Sequence, residues 1–228
     1  MDKKSQLKSS EKRGFSYEKQ LEDRKRLEKI LKVFGKHNIY NALAALTAAR
    51  ALGIDDEISF KALAEFRGTW RRFEEIGNYK GALVISDYAH NPQKIKAALS
   101  VFSGKQNVLI IYQPHQQQRL EKLFDDFVRV FGEARLGTGS QIIITDIYEV
   151  AGREINHKII KARKHKNKNA EILVSAINKK YPKANVIYVP RKELRNYLRY
   201  KIQDTRYKIL VFAGAGDIDD FARKFIVS

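Results

Sequence analysis

The sequence contains no cysteine. Disulfide staples and thiolate metal sites are thereby excluded, and the chain suits a reducing compartment. No apolar run approaches the roughly 20 residues that a membrane-spanning helix needs. The opening MDKKSQLKSSEKRG is polar and lacks the apolar stretch of a secretory leader. A cytoplasmic protein with no membrane partner is expected. Two chemical signatures are missing as well. Neither GxxxxGKS nor GxxxxGKT occurs, so the chain has no phosphate loop of that kind for ATP. The five histidines are scattered, and no metal site is expected. Acids are scarce beside bases: 26 Asp and Glu stand against 44 Lys and Arg, a formal charge of +18 with a pI near 9.9. Such a surface attracts polyanions, nucleic acid among them, unless the lysines are simply dispersed over solvated faces. Composition alone leaves both readings open.

What is present suffices for a core, since 43% of the 228 residues are hydrophobic. Residues 1–16 are charged, rich in Ser and Lys, and read as a disordered basic tail. From 17 to about 33, Leu21, Leu27, Ile30 and Leu31 recur at helical spacing. An alanine-rich helix over 38–52 follows a glycine break, and DDEISFKALAEFRG reads as a short helix with acids in its first turn. After Gly68 the pattern changes to apolar strands alternating with amphipathic helices. Strands are expected at 82–88, 107–113, 141–147, 185–189 and 207–214, and helices at about 93–102, 118–131, 170–180, 191–203 and 217–226. This alternation predicts an α/β fold over 78–228, a mostly parallel Rossmann-like sheet with helices on both faces. The expected organisation is a tail (1–16), a helical segment (17–67) and an α/β domain (68–228).

In such sheets ligands sit beyond the carboxyl ends of the strands. Asp87, Gln113, Asp146 and Gly214 fall at predicted strand ends and should share one rim. The stretch DYAHNP begins there. Asn91 and Pro92 are explained as the cap and first residue of a helix, whereas Asp87, Tyr88 and His90 are not, and several such groups at one rim favour a site. Beside His37, Asn38 and Asn41 lie three apart on one helix face, as paired amides reading an adenine edge would, although Asn38 also fits a cap. Arg71 and Arg72 follow a glycine turn and read as solvated surface when taken alone. In IIYQPHQQQRL, Arg119 sits one turn into a helix, where its planar fork suits a carboxylate. GAGD after the last strand offers backbone N–H groups but lacks the full dinucleotide fingerprint. The string KIIKARKHKNKN (158–169) reads better as a solvated loop than as a polyanion site.

Taken in order, GKHNIYNALAAL, FRGTWRRFE, ISDYAHNPQKIKAAL, IIYQPHQQQRLEKLFDDF, IIITDIYEVAGREI and ILVFAGAGDI resemble the Mur ligases, the ATP-dependent amide-forming enzymes of peptidoglycan precursor synthesis. The branch most resembled is that of UDP-N-acetylmuramate–L-alanine ligase, with murein peptide ligase next. The resemblance covers roughly residues 31–228. It implies that 31–66 correspond to the last helices of a central ATPase domain and about 70–228 to the C-terminal α/β domain. The UDP-sugar domain and the phosphate loop have no counterpart in this sequence, so the resemblance implies either one half of a split enzyme, with a separate chain carrying them, or a truncated gene product.

The same resemblance assigns His37, Asn38 and Asn41 to adenine, Arg72 and Asp87 to the nucleotide, and Tyr88, His90, His115 and Arg119 to the amino-acid pocket. Arg119 is the candidate for the amino acid's carboxylate. The implied cofactors are ATP and Mg2+, and the implied substrates a UDP-N-acetylmuramate-type carboxylate and an amino acid. Two departures leave the amino acid unspecified: Gln116 and Gln117 follow His115 where the branch usually has arginine and an aromatic residue, and Asn91 replaces a second histidine. The DNPR signature of the diaminopimelate-adding branch does not occur. Lacking a phosphate loop, the chain is expected not to ligate alone.

Overall fold

A computed structural model describes residues 17–33, 35–149, 169–203 and 206–228. The expected tail at 1–16, residue 150 onward in the IIITDIYEVAGREI motif and nearly all of the basic string 158–169 lie outside them. The chain divides into two compact units, 1–68 and 69–228.

In the first unit, α1 (Tyr17–Ile30), α2 (Lys36–Ala51) and α3 (Asp56–Glu65) enclose a small core of Leu27, Ala42, Leu46 and Phe60. Helix α3 begins where the Asp55 carboxylate accepts the Glu57 N–H at 2.8 Å. One expectation fails here: Leu21 does not face the core but is exposed, and Asp23 is buried instead. The reason is electrostatic. Arg50 binds Asp23 at 2.6 Å and Asp56 at 2.7 Å, joining all three helices through one guanidinium.

The second unit is a six-stranded sheet in the order β1-β2-β6-β3-β4-β5. Its strands are β1 (Glu74–Tyr79), β2 (Ala82–Asp87), β3 (Val108–Tyr112), β4 (Gln141–Ile144), β5 (Val186–Tyr188) and β6 (Ile209–Ala213). All pairings are parallel except β1 with β2. The helices are α4 (Pro92–Ser100), α5 (Gln117–Lys122), α6 (Phe124–Gly132), α7 (Ala170–Lys180), α8 (Leu194–Lys201) and α9 (Ile218–Ile226). Alternate strand residues supply two cores. Ile110, Tyr112, Ile142, Ile144 and Val211 pack with Leu99, Phe127, Phe131 and Leu173 on one face. Leu109, Ile111, Ile143, Leu210 and Phe212 pack with Leu198, Phe221 and Phe225 on the other. The expected doubly covered sheet is observed.

Two details differ from the sequence pattern. Strand β1 is additional: EEIGNY has glycine and two acids and buries only Tyr79, so it shows no apolar signature. The single helix expected over 118–131 is broken at Leu123, whose φ of −112° separates α5 from α6. The rim forms as expected. Gly214 N–H donates to the Asp87 carbonyl at 3.0 Å and Gln113 N–H to the Ala213 carbonyl at 2.9 Å, placing the ends of β2, β6 and β3 side by side. Among the described residues no helix is long and apolar enough to cross a membrane.

Candidate functional site

The DYAHNP loop is fixed by the Asp87 carboxylate and by backbone contacts to Arg71 and Phe73. One Asp87 carboxylate oxygen accepts the Phe73 N–H at 3.0 Å and the other the Ala89 N–H at 2.7 Å. Tyr88 N–H donates to the Arg71 carbonyl at 2.7 Å. Asn91 caps α4 by accepting the Lys94 N–H at 2.9 Å, with Pro92 in the first turn, as the structural reading of these two residues expects.

His90 is half-buried, and its Nδ1 lies 2.8 Å from the Tyr88 carbonyl. A carbonyl only accepts, so Nδ1 carries the proton and Nε2 keeps a free lone pair. Burial pushes the His90 pKa below its ordinary value. The hydrogen bond to Tyr88 opposes that shift, while the positive charges of Lys94, Arg119 and Arg72 reinforce it.

The second loop, after β3, turns through Gln116 with φ +67°, a left-handed conformation held by its N–H donating to the Tyr148 carbonyl at 2.9 Å. This turn carries Arg119 back over His115. Arg119 Nη1 lies 3.1 Å from His115 Nδ1. Arginine only donates, so here Nδ1 is the acceptor and Nε2 bears the proton. The His115 ring stacks on Tyr148 at 5.7 Å between centroids, His90 lies 6.2 Å from His115, and Tyr88 meets His90 edge to face at 5.1 Å. The result is a row of four rings, Tyr88–His90–His115–Tyr148. Arg72 is 5.6 Å from the Tyr88 ring at one end, and Arg119 is bound to His115.

The structure thus brings together Arg72, Tyr88, His90, His115 and Arg119, with Asp87 at the strand end beneath. His37, Asn38 and Asn41 belong to the other compact unit, in the first turns of α2. There Asn41 Nδ2 lies 3.4 Å from Asn38 Oδ1, so the two amides share a face as their spacing predicts. Of the four expected rim residues, Asp146 is engaged structurally: it accepts from the Tyr188 hydroxyl and from the Arg191 N–H at 2.9 Å.

Tyr148, Arg191 and the inward turn of Arg71 were not visible in the sequence pattern, whereas Gln113 was expected at the rim. Tyr148 lies in an irregular segment and stacks on His115. Gln113 and Arg191 both bind Asp217, at 2.7 and 3.1 Å, and so hold the glycine turn. Arg71, expected at the surface with Arg72, is buried. The two arginines separate because Arg71 has φ +54°, which turns its side chain inward while Arg72 remains exposed. The GAGD turn does not favour anions. Helix α9 starts with Asp217, Asp219 and Asp220, whose charges oppose the dipole's attraction for phosphate.

For a nucleotide cofactor the fit is partial. The Asn38 and Asn41 amides have the donors and acceptors for a base edge. Asp87 is engaged by the Phe73 and Ala89 N–H groups at the strand end. The phosphates have no glycine–lysine loop in the sequence, and the described residues contain no acid and histidine cluster suited to a metal ion.

A mostly parallel six-stranded sheet covered by helices on both faces, with a ring cluster at its carboxyl rim, defines an α/β domain. A family profile, "Mur ligase, glutamate ligase domain", matches residues 71–216, and the chain belongs to that family. It is 37% identical over 199 residues to the UDP-N-acetylmuramate–L-alanine ligase of Caldanaerobacter subterraneus subsp. tengcongensis, covering 86% of this chain and 39% of that protein. The corresponding ligase of Clostridium acetobutylicum is 35% identical over 198 residues, with the same coverage. Among solved structures, UDP-N-acetylmuramate-alanine ligase MurC from Thermotoga maritima superposes with a TM-score of 0.60 at 26% identity, over 86% of this chain and 38% of that one. A murein peptide ligase from Psychrobacter arcticus has the same fold, with a TM-score of 0.56 at 18% identity. The chain is therefore a Mur ligase C-terminal module and spans about two fifths of the length of these relatives.

Proposed function

We propose that this chain is the acceptor-amino-acid module of an ATP-dependent amide ligase of the UDP-N-acetylmuramate–L-alanine type, acting with domains that supply the UDP-sugar site and the phosphate loop. The observation that carries this reading is the rim cluster: His90 with a bare Nε2, among Arg72, Lys94 and Arg119. An incoming amino acid has a carboxylate to be held and an ammonium group that must lose a proton before it can attack. Arg119 offers a guanidinium to the carboxylate. His90, kept neutral by burial and by its cationic neighbours, accepts the proton from the ammonium at Nε2. Tyr88 and His115 flank these two groups and set their spacing. Asn38 and Asn41, with His37 beside them, contact adenine; Arg72 and Asp87 serve the nucleotide's ribose and phosphate side.

ATP and its magnesium ion would supply the activation of the UDP-N-acetylmuramate-type carboxylate when bound, leaving the amino acid as the attacking group. Their phosphate and metal ligands come from the other domains, in a separate chain or a longer polypeptide. In the assembled ligase, Arg119→Ala removes one charge-assisted partner, a loss of roughly 1.5–3 kcal/mol. The apparent KM for the amino acid should then rise about tenfold to a hundredfold, with the KM for ATP little changed. An unaltered amino-acid KM would remove Arg119 from the pocket. The charge of +18 supports a second reading, a non-catalytic domain that binds nucleic acid. That reading requires salt-sensitive binding at physiological ionic strength by a chain that gains no nucleotide affinity with the missing domains.

A further inference from the structure

The least expected rim residue is Arg71. It is only 7% exposed, yet among the described residues no carboxylate is paired with its guanidinium. Its Nη2 donates to two carbonyls of the glycine turn, Gly214 at 2.7 Å and Gly216 at 2.9 Å. Its guanidinium carbon lies 4.8 Å from the Tyr88 ring centroid, and its own carbonyl accepts the Tyr88 N–H. The residue therefore touches the β6–α9 turn with its side chain and the β2–α4 loop with both ring face and backbone. Its strained φ of +54° is held by Glu74, whose Oε2 accepts the Arg71 N–H at 2.8 Å and the Arg223 Nη2–H at 2.7 Å. Arg223 in turn binds Asp219, and Asp219 accepts from Ser86 at 2.6 Å, so the clamp is anchored in β2 and α9.

We propose that Arg71 is a positioning residue for the amino-acid site: it clamps the glycine turn against Tyr88 and so fixes the edge-to-face contact that aims His90. A planar fork suits two carbonyls on a tight turn and a ring face together. A lysine ammonium, a point charge on a flexible stem, cannot hold all three at once. The structural claim is independent of catalysis, whereas its bearing on the amino acid rests on the function proposed above.

The first test is NMR of the His90 ring protons in the full chain, because the Tyr88 ring displaces their shifts only while the edge-to-face geometry lasts. Tyr88→Leu defines the shift without the ring. Leu198→Ala, in the core on the other face of the sheet, controls for general destabilisation. Arg71→Met should move the His90 protons most of the way to their Tyr88→Leu positions, and Arg71→Lys part of the way, while Leu198→Ala leaves them in place. If Arg71→Met does not fold, the Arg71→Lys shift decides. His90 protons that stay at their wild-type positions in the folded Arg71 variants overturn the proposal.

The second test uses the assembled ligase. Arg71→Lys should raise the amino-acid KM about tenfold, as expected for loss of a forked contact, with Leu198→Ala unchanged. A shift in the His90 protons without that KM change leaves Arg71 merely structural and overturns its positioning role. Failure of the ligase to assemble would count against the proposed function and leave the NMR result standing.

Discussion

At the residue scale, the site depends on small distances that allow little substitution. A Cβ on Gly216 would lie 2.3 Å from Tyr148 Cγ and 2.5 Å from Gln113 Oε1. Gly216→Ala should therefore push Tyr148 off His115 and cost about 2 kcal/mol, read as a lowered urea midpoint. His90 makes a pH-dependent contribution. Burial holds its folded pKa below the unfolded value of about 6.5, so the neutral ring is the folded form. Its stability contribution is complete above about 6.5 and is lost as pH falls through the lower folded value. Urea midpoints measured between about pH 7.5 and 5 should fall toward acid in the wild type and less steeply in His90→Gln. Equal slopes would mean that His90 titrates as it does in the unfolded chain.

The same scale shows what the sequence could and could not reveal. Asp87, Tyr88, His90 and Arg119 were legible because polar and ring-bearing residues interrupt apolar strands where loops begin. Arg71 was not, because its inward turn comes from a left-handed backbone and a tertiary contact 143 residues away.

At the scale of elements, the parallel strands were readable as apolar runs because both faces of each are covered. Strand β1 was hidden because an edge strand with one neighbour needs no apolar alternation. The first unit has a different weak point. Among the described residues its buried hydrophobic core has four members, so the Arg50 bridge to Asp23 and Asp56 bears much of the joining of α1, α2 and α3. Arg50→Met leaves the Asp23 carboxylate buried beside no guanidinium. It should destabilise this unit by about 3 kcal/mol, measured as earlier loss of amide protection in α1–α3 than in the sheet. Asp56 adds an acid limit. Its hydrogen bond to Arg50 holds its carboxyl below the usual range, and that contribution disappears as pH falls through the lowered value.

At the scale of the whole molecule, the proposed site residues lie in two compact units, and the sequence contains no GxxxxGKS or GxxxxGKT phosphate loop. The sequence registered this through a missing motif together with six matching ones. The central claim is that this chain supplies the amino-acid half of a ligase. It is tested most directly by combining the purified chain with a fragment of a UDP-N-acetylmuramate–L-alanine ligase that carries the UDP-sugar and phosphate-loop domains but lacks its own C-terminal module. ADP release is then measured with ATP, UDP-N-acetylmuramate and candidate amino acids. The account predicts amino-acid-dependent ADP release that needs both components and is reduced by Arg119→Ala. A stable complex that releases no ADP with any amino acid would contradict it.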